Sequence, residues 1–304
     1  MKKIGIAIHG GASQDSEFIR QNKAAYEDGL KTAVQIGYHV LEQGGTSIDA
    51  VEQAVKSLED NPLFNAGRGS ALNNQGEIEM DAAVMDGKTL KAGAIAMVTL
   101  VKNPVSLARK VLEKTNHVLL CGYGALNLAK NSGMELEDEP YFITNHQVEE
   151  FKNANAKDTE DDLLKKQIHG TVGAVALDEY GNVAAATSTG GTSNSLPGRI
   201  GDSCIIGAGC YANNQTCAVS ATGDGEYIIT GAIASTISLY MELTGASLQQ
   251  ACDYVLLERN KDTPGDMGVV SISPSGEIGM AFNCERMHRA SIDTNGKLEV
   301  AIYK

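Results

Sequence analysis

Basic residues are scarce in this sequence. Its 25 Lys and Arg stand against 38 Asp and Glu, a formal net charge of -13. Phosphate binding needs clustered Lys and Arg, so a nucleic-acid partner is not expected. No apolar run approaches the roughly 18 residues that span a bilayer, which leaves a membrane role without support. The six cysteines, at positions 121, 204, 210, 217, 252 and 284, form no C-x-x-C pair and no zinc spacing. With no signal peptide in view, they are expected to be reduced thiols of a cytoplasmic protein. No Pro-rich or Gly/Ser-rich segment separates two apolar cores, so a single domain over residues 1–304 is expected. A chain of this length buries about 75% of its unfolded surface and needs neither metal nor disulfide for stability.

The first half reads as strand, helices and a hairpin. Lys3 to Ile8 is a strand ending at His9-Gly10-Gly11. A similar His-Gly-Gly segment supplies oxyanion donors in some α/β-hydrolases, but those need a G-x-S-x-G elbow and this chain has none. A helix is predicted from about Asn22 to Gln43, with Leu30, Ala33, Val34, Gly37, Val40 and Leu41 on one stripe and Gly44-Gly45 as its stop. The next starts at Thr46, with Asp49 as a capping-box partner, and turns Ile48, Val51, Val55 and Leu58 inward. After a Gly-rich loop, Glu77 to Met85 and Ala92 to Val101 form a hairpin around Asp86-Gly87, and Asn103-Pro104 opens a helix to about Asn116. A short helix should end near Gly133. From Glu149 to Lys166 the chain is polar and charge-mixed with no apolar face, the pattern of a surface linker.

The second half is rich in strands, with helices between them. Strands are expected at Thr171 to Leu177, Val183 to Thr187, Gly268 to Ser273 and Glu277 to Phe282. Helices are expected at Glu226 to Thr244 and Leu248 to Arg259, bounded by Gly225, Gly245 and the cap Ser247. Strands, two helices, then strands in each half suit an α+β fold with two sheets packed face to face and helices outside.

The linker gives way abruptly at Gly170-Thr171 to the apolar run Val172, Val175, Leu177. If the chain is cut there, Thr171 carries a hydroxyl nucleophile and a free α-amine on one residue. The amine, with a reference pKa of about 7.7 to 8.0, can serve as the base that a hydroxyl needs at neutral pH. Gly170 suits the cut, because without a Cβ it tolerates strain and leaves its carbonyl open. On these residues alone, an ordinary strand that begins on threonine is the favoured reading.

The company of this junction is more specific. HGTVGAVALD is followed by GNVAAATSTGG, GRIGDS at Gly198 to Ser203, GAGCYANN at Gly207 to Asn214, and ATGDGE at Ala221 to Glu226. Ile8-His-Gly-Gly-Ala12, Phe64-Asn-Ala-Gly-Arg-Gly69 and Met80-Asp-Ala-Ala-Val-Met-Asp-Gly87 precede it. In order and spacing these segments resemble the plant-type asparaginase and isoaspartyl peptidase family of N-terminal-nucleophile hydrolases, over nearly the whole chain.

The resemblance implies a four-layer αββα sandwich and self-cleavage between Gly170 and Thr171. An α subunit of residues 1–170, ending in a mobile linker at about 149–168, and a β subunit of residues 171–304 would then pair as a dimer of heterodimers. Thr171 would be the nucleophile and Thr189 its hydrogen-bond partner. Thr222 and the Gly223 amide would stabilise the tetrahedral intermediate. Arg199 would fork onto a substrate α-carboxylate while Asp202 accepts from its α-ammonium, with Gly225 and Asn65 also at the substrate. Read alone, Arg199 and Asp202 are better taken as a surface salt bridge worth about 0 to 1 kcal/mol, and Thr222 to Glu226 as a Gly-rich helix start; the resemblance reverses that order. No catalytic cofactor is implied, only a structural sodium ion on the backbone carbonyls of Leu58, Glu59, Asn61, Phe64, Ala66 and Arg68.

The sequence departs from the family in two places. A GG-x-GG turn is reduced to Pro264-Gly-Asp-Met-Gly268, and FN-x-x-GM becomes Phe282-Asn-Cys-Glu-Arg-Met287, with Arg286 where glycine is usual. Both bear on the leaving group rather than the nucleophile. The expected activity is hydrolysis of L-asparagine or of β-aspartyl dipeptides, releasing L-aspartate. Two alternatives stay open: a glycosylasparaginase, although those usually show Asp-Thr at the cut, and an uncleaved homologue that acts as a binding protein.

Overall fold

The computed structural model describes residues 3–155 and 170–304. They form a mixed α+β fold with an eight-stranded and a four-stranded sheet. The larger sheet contains β1 (Gly5–Ser13), β2 (Met80–Asp86), β3 (Ala92–Val98), β4 (Leu119–Cys121), β5 (Val172–Leu177), β6 (Val183–Thr189), β11 (Arg286–Ile292) and β12 (Leu298–Tyr303). Its order is β12-β11-β1-β5-β6-β2-β3-β4. The smaller runs β10 (Ile278–Phe282), β9 (Met267–Ile272), β8 (Ala218–Gly223) and β7 (Cys210–Ala212). The Gly170-Thr171 junction therefore sits at the start of a central strand, with β1 on one side and β6 on the other.

β5 is buried along its whole length, which explains a continuous apolar run where a half-exposed strand would alternate. Its side chains still divide by parity. Val172, Ala174 and Ala176 join a core with Leu30 and Leu41 of α2 (Lys23–Glu42) and Val51, Val55 and Leu58 of α3 (Ser47–Glu59). Val175 and Leu177 join a second core with Ala218 of β8 and Val270 and Ile272 of β9. Thr171 and Gly173 share the parity of Val175, so they face the second sheet. A third core packs Val219 and Val269 against Ile233 and Ile237 of α9 (Ile233–Thr244) and Leu248 and Ala251 of α10 (Leu248–Asp253). Each fully buried Leu or Ile contributes about 1.5–3 kcal/mol.

Local sequence signals hold well in the first half. α2 is flanked by Asn22 and Gln43, and α3 has the full Thr46/Asp49 capping box. α1 (Glu17–Gln21) is an additional short helix, N-capped by Ser16. α4 (Pro104–Lys114) and α5 (Gly122–Asn131) stand where expected.

The linker expectation needs correcting. After α6 (Glu139–Phe142), α7 runs Asn145–Asn155, and its Val148 and Phe151 pack on a small core of Leu72, Ile78, Met80 and Phe142. Two apolar residues three apart are enough to seat that helix among its charges; the rest of the expected linker lies outside the described residues. The single helix expected over Glu226 to Thr244 is two: α8 (Gly225–Gly231) and α9, broken at Ala232 with φ 47 and ψ 46. The break lets the amides of Ala234 and Ser235 donate to the carbonyls of Ala208 and Gly207 at 3.1 and 2.8 Å. Beyond α10 the chain continues in wider π turns over Tyr254–Arg259. β4, β7, β8, β11 and β12 are additional to the strands expected.

All six cysteines are unpaired, with Cys121 exposed. Among the described residues no helix is long and apolar enough to cross a membrane.

Candidate active site

Thr171 lies one residue before β5 and is 5% exposed. The oxygen of the preceding Gly170 carbonyl accepts two side-chain hydrogen bonds, from Asn65 Nδ2 at 2.8 Å and Thr189 Oγ1 at 2.9 Å. Each donor is itself held. Asn65 Nδ2 also donates to the Gly191 carbonyl at 2.7 Å and Asn65 Oδ1 accepts from the Ala71 amide at 2.7 Å. Thr189, the last residue of β6, accepts from the Gly191 amide at 3.1 Å. Asn65, expected beside the substrate, thus sits on the candidate scissile carbonyl of the continuous chain. Gly11 backs onto the same bond: at its φ of 114° a Cβ would stand 3.3 Å from Gly170 Cα and 3.7 Å from Thr171 N.

Thr171 and Thr189 line a small cavity with Arg199, Asp202, Ser203 and Gly223. Its volume of about 10 Å³ holds one water at most. Three buried polar atoms here have no hydrogen-bond partner within the protein: Asp202 Oδ2, Ser203 Oγ and Thr222 Oγ1. Orphaned buried groups cost about 1–3 kcal/mol each; Asp202 and Ser203 line the cavity, and Thr222 stands next to the lining residue Gly223. Burial pushes the Asp202 carboxyl up to about 7, against the attraction of Arg199. Ser203 stands inside the GRIGDS segment but was not singled out in the sequence; only its orphaned hydroxyl identifies it.

Arg199 and Asp202 do not form the surface salt bridge of the plain reading. Arg199 Nε and Nη2 fork onto Glu226 Oε1 and Oε2 at 2.9 and 3.0 Å. Gly225 makes this approach possible, because a Cβ there would lie 2.8 Å from Arg199 Nη2 and 2.9 Å from Asp202 Oδ1. Beneath them Asp81 accepts from the Met97 and Gly201 amides at 2.9 and 3.2 Å, and burial raises its carboxyl to about 6. Thr222 and Gly223 close β8, and the helix opens only at Gly225 after the cap Asp224. The donors expected at an oxyanion therefore sit on a strand end, with Gly223 at φ 132°.

On β6, next to β5, Ser188 Oγ donates to Glu59 Oε1 at 2.7 Å and the Val105 amide donates to it at 2.9 Å. This ties α3 and α4 to β6. On the side facing the second sheet, His9 is fully buried, with its Nδ1 3.0 Å from the Thr171 carbonyl and Nε2 2.8 Å from Ser220 Oγ. Burial lowers its pKa to about 3, so it is neutral at physiological pH. Arg286, at the departure from the family pattern, is buried on β11 and donates from Nε to the Gln14 carbonyl at 3.0 Å. It contributes to the fold rather than to the cavity.

A family model described as asparaginase matches residues 1–302. The chain is 45% identical to an isoaspartyl peptidase of Escherichia coli over 298 residues, which is 95% of this chain and 93% of that protein. It is 41% identical to a human isoaspartyl peptidase/L-asparaginase, covering 98% of this chain and 95% of the relative. A probable isoaspartyl peptidase/L-asparaginase of Arabidopsis thaliana is 39% identical, with 98% of each chain covered. A match of this extent, joined to the convergence of Thr171, Thr189, Arg199 and Asp202 on one cavity, means that the chain belongs to the asparaginase family that includes the isoaspartyl peptidases.

Proposed function

We propose that the protein is an autoprocessing amidohydrolase that cleaves β-aspartyl dipeptides and L-asparagine to L-aspartate, with Thr171 as nucleophile. The observation that carries this reading is the Gly170 carbonyl oxygen, held by Asn65 and Thr189 immediately before Thr171. Attack of the Thr171 hydroxyl on that carbonyl carbon puts negative charge on the oxygen, where two donors already point. The C–N bond then breaks, the acyl group passes to the hydroxyl as an ester, and the nitrogen becomes the Thr171 α-amine. Water hydrolyses the ester, leaving the Gly170 carboxylate and a free hydroxyl.

In turnover the α-amine takes the hydroxyl proton as Thr171 attacks the side-chain amide of the substrate, and delivers it to the departing ammonia or amino acid. A second water releases aspartate from the acyl-enzyme. Thr222 Oγ1, orphaned in the uncut chain, and the Gly223 amide would hold the oxyanion of this stage. The oxyanion of self-cleavage and that of turnover thus have separate donors. The orphaned Asp202 Oδ2 suits an α-ammonium. Arg199 suits an α-carboxylate, since Glu226 occupies its Nε/Nη2 edge and Nη1 remains.

The finer fold reading, an αββα sandwich, draws support from three cores that alternate helix–sheet, sheet–sheet and sheet–helix. Pairing of two mature molecules draws support from Leu239 and Leu243, 50% and 74% exposed one turn apart on α9. A sodium ion belongs to the same reading. Leu58 and Glu59 end α3 and the other expected ligands follow in the loop, which coils so tightly that a Cβ on Gly67 would stand 2.6 Å from the Glu59 carbonyl oxygen and one on Gly69 2.6 Å from that of Phe64. Main-chain oxygens turned into one loop suit a hard cation. The direct test of the activity is release of aspartate from β-Asp-Leu and L-asparagine, with α-Asp-Leu as control. Comparable cleavage of the α-linked peptide would contradict the proposed grip.

A further inference from the structure

Beneath the nucleophile the two sheets are joined by three buried polar side chains. His9 on β1 and Thr187 on β6 are the register partners of Gly173 on either side of β5. Gly173 leaves a gap between them, and the hydroxyl of Ser220, from β8 in the facing sheet, fills it. A Cβ at Gly173 would collide with both Ser220 Oγ and His9 Nε2, so the contact exists only because this position is glycine. Ser220 Oγ stands 2.8 Å from His9 Nε2 and 2.7 Å from Thr187 Oγ1, with none of the three residues exposed.

The far end of the chain fixes its direction. His9 Nδ1 is 3.0 Å from the carbonyl oxygen of Thr171, which can only accept, so the proton is on Nδ1. Nε2 must then accept from the Ser220 hydroxyl, and Ser220 Oγ accepts from Thr187. The Thr187 hydroxyl also lies within donating distance of the Gly209 carbonyl at 3.0 Å, which accepts from the Ala221 amide at 2.9 Å as well, so its one proton is shared between Ser220 Oγ and that carbonyl. Every donor then has an acceptor and the imidazole is held in one tautomer.

We infer that His9 is a positioning residue for the nucleophile: it pins the Thr171 carbonyl through Nδ1–H while Ser220, admitted by Gly173, fixes its tautomer. The inference rests on the reading of Thr171 as nucleophile. Self-cleavage removes the covalent tether on the amine side of Thr171, one residue outside the β5 ladder. The α-amine and hydroxyl created by the cut then depend on the carbonyl side for their aim, and His9 holds that side from the neighbouring strand.

The test uses the full chain with His9→Asn, His9→Leu and Ser220→Ala, and Thr171→Ala alongside. The Asn side-chain amide nitrogen stands close to where Nδ1 stood, so it keeps the donor to Thr171. His9→Leu should mature slowly and, once matured, lose about 10²-fold in kcat with KM changed by less than about threefold, the pattern of misaim rather than lost binding. His9→Asn should return to within about tenfold of the parent, and Ser220→Ala should lose about tenfold in kcat. A His9→Leu kcat equal to the parent's, or His9→Asn no better than His9→Leu, overturns the inference. If His9→Leu does not fold, Ser220→Ala decides: a kcat equal to the parent's overturns the inference. If Thr171→Ala matures and turns over, the nucleophile assignment itself fails. If Thr171→Ala is inert while the His9 and Ser220 variants match the parent, only the positioning role fails.

Discussion

Asn65 donates a hydrogen bond through Nδ2 to the carbonyl oxygen of Gly170 at 2.8 Å, across 105 residues of sequence. The same nitrogen reaches the Gly191 carbonyl at 2.7 Å, so the amide bridges the two segments that meet beside Thr171. In the proposed self-cleavage this bond strengthens as charge grows on the oxygen. Asn65→Ala should therefore slow conversion of the precursor by about 10²–10³-fold, the usual cost of one oxyanion donor. A time course on a denaturing gel measures this, and conversion at the parent's rate would contradict the role.

Arg199 and Glu226 lead to a second expectation. Lysine keeps the charge but loses the planar fork that meets Glu226 at 2.9 and 3.0 Å. Arg199→Lys should lower kcat/KM for β-Asp-Leu by about 10–100-fold, where each 1.36 kcal/mol is a factor of ten. Assay of the matured variant checks it; an efficiency equal to the parent's would leave Arg199 as a structural ion pair only.

Asp202 should trade stability for binding. Burial raises its carboxyl from 3.8 to about 7, so the folded precursor holds a proton that the unfolded chain releases. The protonated group's contribution is fully present below pH about 4 and is lost as pH rises through about 7. Asp202→Asn removes that loss. The variant's melting temperature should exceed the parent's at pH 8 and match it near pH 4, while its turnover of β-Asp-Leu falls sharply. Thermal unfolding at both pH values measures the effect, and a lower melting temperature for the variant at pH 8 would contradict it.

The same contrast between local and distant determinants governs how much could be read in the sequence. The Thr46/Asp49 capping box, the Asp86-Gly87 turn and the apolar stripe of α2 are set by residues a few positions apart, and they stand as expected. The start of β5 at Gly170-Thr171 was legible because a continuous apolar run follows a polar segment there. The bond from Asn65 to Gly170 was not, since no spacing announces a contact 105 residues long. Nor was Glu226 as the partner of Arg199. Ala232 breaks a helix because Gly207 and Ala208 capture the amides beyond it, and alanine carries no mark of that. β8 is built of small residues, Ala218–Gly223, whose strand character comes from pairing with β9 rather than from their own propensity. α7 shows that one Phe and one Val can seat an otherwise charged helix.

The central claim is that one hydroxyl performs both self-cleavage and turnover. Intact mass of the parent and of Thr171→Ala, after incubation at neutral pH, tests it most directly. The parent should resolve into two chains, the second beginning at Thr171, while Thr171→Ala stays at the 32.1 kDa of the full chain. A parent that remains whole, or a Thr171→Ala variant that splits at the same bond, would contradict it.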